Sequence, residues 1–222
     1  ILGRELVLRV ADRCKKISNK RDLIIATDNS MISKVAKKEN FKVMMTSRNC
    51  LTGTDRVAEV AKKINSKIYI NVQGDEPLVN PKDIQNIIEE KKKYYNEVIN
   101  GYTIIGKDED PDSVSKPKVI FTEDKRLIYI SRKTLPGFKE KLNEPKVYYK
   151  QVCIYAFNRE ELIEFGNYGR KSILEKSEDI EILRFLEWGK SIRFVETSPG
   201  SLAVDEPKDV KKVEAFLRKS QI

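Results

Sequence analysis

Apolar positions along this chain switch between two periods. Residues 4–17 space them as a helix does and end in basic side chains, which predicts a helix. Residues 21–26 (RDLIIA) predict a short buried strand running into Thr27-Asp28, and 29–39 a helix capped by Ser30 or Asn29. Residues 41–46 (FKVMMT) alternate as a second strand. A helix over 54–66, opening at Thr54-Asp55, and a strand over 67–72 (KIYINV) follow. Strand, helix, strand, helix, strand in this order predicts a parallel sheet with helices on both faces. Ligands of such sheets sit beyond the strand C-termini. Three polar clusters stand there: Thr27-Asp28, Thr46-Ser47-Arg48 and Gln73-Gly74-Asp75.

The second half is less regular. A helix is predicted over 82–96, a strand over 98–105, and a hairpin of 117–121 with 127–132 around Glu123-Asp124-Lys125. A long strand over 147–157 (VYYKQVCIYAF) precedes helices at about 159–165 and 178–188. Strand 191–196, a Pro-Gly turn, Ala203-Val204-Asp205 and a helix from Asp209 to about Lys219 close the pattern. There is no internal repeat or low-complexity linker. The expectation is one α/β domain over 1–222, with an antiparallel extension.

Composition narrows the chemistry. The 222 residues contain no histidine, which excludes Ser-His-Asp and Cys-His catalysis and HExxH zinc sites. Acid–base or metal chemistry then falls to carboxylates, Lys, Tyr or Cys. Lys and Arg number 43 against 34 Asp and Glu, a net charge of +9, but the basic residues are interleaved with acidic ones and form no aromatic-studded block. That pattern suits an anionic small molecule better than nucleic acid. Cys14, Cys50 and Cys153 form no CxxC pair, so idle thiols in a reducing compartment are expected. No apolar run approaches the roughly 18 residues that span a bilayer.

Three segments carry candidate chemistry. In Asn71-Val72-Gln73-Gly74-Asp75-Glu76-Pro77 an apolar strand runs into glycine and adjacent carboxylates. Asp75 there is placed to hold a hard cation such as Mg²⁺, although Gly-Asp and Pro equally make a plain turn. Val204-Asp205-Glu206-Pro207 offers a second carboxylate, which either joins Asp75 on one metal or caps the helix that follows. Leu51-Thr52-Gly53-Thr54-Asp55-Arg56 opens a helix with hydroxyls, which makes an anion contact or simply a cap.

Together these segments resemble the nucleotide-sugar cytidylyltransferases, and most closely the 3-deoxy-manno-octulosonate (Kdo) cytidylyltransferases. The resemblance runs in order through IIATDN (24–29), MTSRNCLTGTDRVAEV (45–60), INVQGDEPLV (70–79), LIYISRKTLP (127–136), IYAF (154–157), EDIEILRFLEWGKSI (178–192) and VDEPKDV (204–210). It implies a Rossmann-like nucleotide-diphospho-sugar transferase fold with a central, mostly parallel sheet. It also implies transfer of CMP from CTP to the anomeric hydroxyl of a 3-deoxy sugar acid, with release of pyrophosphate. Asp75 and Asp205 would ligate Mg²⁺, with Arg56 beside them in catalysis. Thr54 and Gln73 would contact nucleotide and sugar acid. Arg132, Gln151, Tyr155 and Glu181 match positions that line the sugar pocket, Arg132 as partner of the sugar carboxylate. Without the resemblance, Tyr155 reads as core and Glu181 as a solvated helix residue. A cytoplasmic homodimer is implied, with 117–157 as the candidate contact.

Two departures stand out. Family sequences begin with a strand and a PAR-x-x-S-x-R-x-P-x-K loop. The resemblance implies that roughly twenty residues of such a triphosphate cradle precede Ile1. Gln151 also stands where Kdo enzymes carry His, and Val152-Cys153 replaces Leu-Gly. Gln keeps hydrogen-bonding ability without charge. The acceptor is therefore Kdo or an analogue such as an amino-Kdo, with another ulosonic acid, a phosphonate, or an inactive nucleotide-binding module as alternatives.

Overall fold

The computed structural model describes residues 1–107, 109–204 and 206–219. Its elements follow in the order α1 (Leu6–Cys14), β1 (Ile24–Thr27), α2 (Ser30–Lys38), β2 (Lys42–Met45), α3 (Gly53–Lys63), β3 (Ile68–Val72), α4 (Pro81–Lys93) and β4 (Val98–Ile104). Then come β5 (Lys118–Phe121), β6 (Leu127–Ser131), β7 (Tyr149–Asn158), α5 (Arg159–Asn167), α6 (Ile173–Glu178), α7 (Leu183–Glu187), β8 (Ile192–Glu196) and α8 (Pro207–Lys219).

β1 and β2 pair in parallel, and six further strands form one sheet. Strands β3 and β4 each run antiparallel to β7, while β8 runs parallel to β4 and β5 antiparallel to β7. Hence β3, β4, β5 and β8 share one direction, and β7 and β6 oppose it. The mostly parallel α/β sheet expected from the strand–helix alternation is present. Its antiparallel character comes from the long strand β7, driven between β3 and β4.

Local chemistry explains where the elements begin. Asn29 caps α2 by accepting from the Met31 and Ile32 N–H groups, and Thr52 caps α3 through the Asp55 N–H. Asn158 and Glu161 form a capping box at α5. The main core packs Tyr69, Val98, Tyr155, Phe157, Phe165 and Phe185 between the sheet and helices α3 and α5. Gly166 of α5 allows that approach, since a Cβ there would lie 2.7 Å from the Ala58 Cβ of α3.

The structure departs from one expectation. The helix foreseen over 178–188 is broken: α6 ends at Glu178, Asp179 takes a left-handed φ of 51°, and α7 starts at Leu183. Glu181 therefore stands in the turn between two helices and is buried, not on a solvated face. Residues 201–204 form no strand. They meet the 75–76 turn through the Val204 N–H and the Ser201 hydroxyl.

Candidate active site

Strand β7 changes partner along one edge. Its C-terminal part pairs with β3 from Val72↔Ile154 to Ile68↔Asn158, while Lys150 pairs with Lys118 of β5. At Gln151–Cys153 the sheet forks. The Gln151 N–H reaches the Pro117 carbonyl (2.9 Å) and the Gln73 N–H reaches the Cys153 carbonyl (3.4 Å). Across the other edge β7 bulges against β4, with Asn100 opposite Tyr155 but Gly101 opposite Val152. Bulges bend a strand and re-aim its side chains, and they recur beside active sites.

A cleft of about 900 Å³ opens over this fork. Gln73, Asp75, Arg132, Gln151, Tyr155 and Glu181 all line it. Six residues from four separated segments thus converge on one cleft. Tyr155 serves both readings, since it lines the cleft and is buried in the main core.

Glu181 is the best anchored of these. It accepts from the Thr54 N–H (2.9 Å) in the first turn of α3 and from the Gln73 amide (2.9 Å). A carboxylate at a helix N-terminus is favoured by the exposed N–H groups there. Gly53 packs beside it: a Cβ there would meet Gln73 Nε2 at 3.4 Å and Glu181 Oε2 at 3.6 Å, ordinary contact distances. Burial raises the Glu181 pKa, opposed by these hydrogen bonds. Burial likewise pushes the Cys153 thiol and Tyr155 phenol well above their ordinary values. The Cys153 thiol therefore favours its neutral form.

The carboxylate turn meets the C-terminal segment directly. The Val204 N–H donates to the Asp75 carbonyl (2.9 Å), and the Ser201 hydroxyl donates to Glu76 (2.6 Å). Glu76 is buried and its pKa is raised, first by burial and further by the neighbouring Asp75 charge. Asp205 lies outside the described residues, but Val204 before it touches Asp75 through the backbone. Glu206, Lys208, Asp209 and Lys212 line the same cleft. Among the described residues no group of three or more acidic or thiol side chains is arranged to hold a metal ion by itself.

Arg132 lines the cleft, but much of its guanidinium is engaged. It donates to the carbonyls of Glu178 (2.5 Å), Val114 (2.8 Å) and Asp179 (3.0 Å). These three bonds to described residues use three of its five N–H groups. Thr54 and Arg56 do not line the cleft. Thr54 acts through its N–H on Glu181. Arg56 donates to the Thr46 hydroxyl (2.6 Å) and pairs with Asp28 at 3.5 Å, joining two of the three strand-end clusters.

Reading by motif missed a second layer. Arg184 is fully buried and donates to Glu175 (2.6 and 2.7 Å) and Asp55 (3.0 Å), tying α3, α6 and α7 together next to the cleft wall that Glu175 helps to line. Asp55 and Arg184 are 129 residues apart. No local spacing announces such a pair. Lys150, which bonds Glu109 at 2.5 Å on the cleft wall, was equally silent.

A strand-end cleft on an α/β sheet, with carboxylates at a Gly-Asp-Glu turn, defines a nucleotidyltransferase of Rossmann-like fold. A solved structure of a CMP:2-keto-3-deoxy-manno-octonic acid synthetase complexed with CTP matches with a TM-score of 0.89 and 28% identity, over 99% of this chain and 90% of that one. The inositol-1-phosphate CTP transferase of T. maritima shares the fold alone, at a TM-score of 0.68 and 16% identity, over 99% of this chain and 84% of that one. The chain belongs to the cytidylyltransferase family, whose family model matches residues 1–192. The 3-deoxy-manno-octulosonate cytidylyltransferase of Geotalea uraniireducens (strain Rf4) is 36% identical over 99% of this chain and 91% of its own length. That of Koribacter versatilis (strain Ellin345) is 35% identical over 97% of this chain and 81% of its own.

Proposed function

We propose that this protein transfers CMP from CTP to the anomeric hydroxyl of a 3-deoxy sugar acid, Kdo or a close analogue. The observation that carries the reading is the convergence of Gln73, Asp75, Arg132, Gln151, Tyr155 and Glu181 on one cleft. The sugar oxygen attacks the α-phosphorus of CTP. A new O–P bond forms, the α–β anhydride bond breaks, and pyrophosphate leaves with that electron pair. The hydroxyl proton passes to solvent.

Each group has a part in this. Asp75 and Asp205 supply carboxylates of the kind Mg²⁺ takes one or two at a time, with substrate phosphates completing the shell. The ion would lower the hydroxyl pKa and offset charge on the phosphate, so no histidine base is needed. Glu181, fixed by Thr54 and Gln73, accepts from substrate hydroxyls. Lys116, Arg132, Lys171, Lys208 and Lys212 on the cleft wall offset the charge of triphosphate and sugar carboxylate. Arg56, in the first turn of α3 and braced by Thr46 and Asp28, would meet the nucleotide from outside the cleft lining.

The test is pyrophosphate release by the protein as its gene encodes it, with CTP, Mg²⁺ and a panel of ulosonic acids. Turnover that needs all three is expected. CTP binding without turnover across the panel would replace this reading with that of an inactive nucleotide-binding module.

We also infer a cytoplasmic homodimer. Within 117–157, Ile128, Phe138, Leu142 and Val147 are exposed, which suits an apolar contact between two copies. Sedimentation equilibrium of the wild type and of Leu142→Glu distinguishes dimer from monomer. No helix among the described residues is long and apolar enough to cross a membrane, and the three cysteines are unpaired.

A further inference from the structure

Asn100 sits on β4 beneath the cleft, fully buried, opposite the bulge of β7. Its side-chain amide donates to two carbonyls of that bulge, Val152 and Ile154, at 2.9 Å each. Backbone carbonyls only accept, so chemistry settles which end of this amide is nitrogen. Asn100 Oδ1 is then left as an acceptor. Gln151 meets it with its own nitrogen, Nε2, at 2.8 Å. The chain of assignments ends at Gln151 Oε1, the other end of an amide that lines the cleft. The bulge itself is tightly built. A Cβ on the adjacent Gly101 would lie 3.0 Å from Thr197 Cγ2 and 3.4 Å from the Val152 Cβ, so a larger residue would require a neighbour to shift by a few tenths of an ångström.

We infer that Asn100 is a positioning residue which locks the Gln151 amide so that its oxygen serves the cleft as a neutral acceptor for a hydroxyl of the sugar acid. This rests on the proposed CMP transfer. A free glutamine amide rotates about a soft terminal torsion and presents either end. Locking it removes that freedom before the substrate arrives and lowers the ordering cost of binding. Neutrality matters in this place. Asp75, Glu76 and Glu181 already line the cleft, and both substrates are anions. An ionised acceptor at 151 would add like charge, whereas an amide reads a hydroxyl without it and does not titrate.

The experiment measures KM for CTP and for the sugar acid separately in wild type, Gln151→Leu, Asn100→Ala and the double variant. Loss of one oriented hydrogen bond is expected to raise the sugar-acid KM about tenfold in Gln151→Leu, with CTP KM within about twofold of wild type. Asn100→Ala should give a similar sugar-acid effect. The double variant should be no worse than either single, because both remove one device. A merely structural Asn100 would instead raise both KM values or lower kcat, and its effect would add to that of Gln151→Leu. Either outcome overturns the inference.

Gln151→Glu provides a second arm that leaves the buried amide in place, should Asn100→Ala fail to fold. Only a protonated glutamate can donate to Asn100 Oδ1. Relative to the wild type, the sugar-acid KM of this variant should therefore rise with pH as the glutamate ionises. A flat profile at wild-type KM would overturn the relay. No CMP-sugar from the wild type with any acid would instead count against the proposed function itself.

Discussion

Two acidic regions flank the start of α3 and treat their carboxylates in opposite ways. Behind the helix, Asp55 and Glu175 share the buried Arg184 guanidinium, which also stacks over Phe165 with its Cζ 3.6 Å from the ring centroid. In front, Glu181 and Glu76 are just as buried but receive neutral donors: an N–H, an amide and a hydroxyl. Neither joins an ion pair among the described residues, and burial raises both pKa values. The difference separates fastening from chemistry. A carboxylate matched to its own arginine has its charge already offset. One held by neutral donors keeps lone pairs and field for an arriving cation or hydroxyl.

The largest expected effect comes from breaking the fastening side. Arg184→Ala leaves two buried carboxylates unmatched and should cost about 3–5 kcal/mol of unfolding free energy, read by urea denaturation. If Asp55 and Glu175 were instead as independent as the cleft acids, the loss would be small. Asp75→Ala should do the reverse. CMP transfer should fall on the order of 10³-fold, while the unfolding midpoint stays near wild type, because a half-buried strand-end carboxylate adds little packing. A large stability loss with normal kcat would reverse the assignment of roles.

The smallest effect sharpens the comparison. Glu76 has a folded-state pKa above its unfolded value, so the native state holds its proton more tightly. Stability from this group is fully present below the unfolded carboxylate pKa and fades as pH rises through the folded one. Glu76→Gln keeps the acceptor for Ser201 and removes the ionisation cost. The variant should be more stable than wild type at pH 8, with the gap closing toward pH 4. Urea titrations across that range check it. A gap that widens on acidification would mean that Glu76 is ion-paired after all.

Periodicity and strand-end chemistry made much of this legible in advance. The alternation through Ile68–Val72 and the Gly-Asp-Glu turn placed Asp75 at a strand terminus, where the structure has it. Thr52-Gly53-Thr54 announced a helix start, and Gln73 followed its strand into the cleft. These are local facts, because an N-cap or a strand end depends on neighbours within a few residues. Glu181 was legible as a site residue only through the family resemblance. Its own spacing pointed to a helix face, since the left-handed turn at Asp179 that moves it has no apolar signature.

By itself, then, the amino-acid order determined the α/β class, the absence of histidine chemistry, and the carboxylate turns available to a divalent ion. Tertiary structure alone decided how these parts are employed. It set β7 between β3 and β4, opened the fork at Gln151–Cys153, and brought Arg184 to Asp55 and Asn100 to Gln151. The physical reason is range. Backbone periodicity and capping act over one or two turns of chain. The direction in which a buried amide or guanidinium points is set by acceptors tens to more than a hundred residues away, which only the closed core brings within hydrogen-bonding distance.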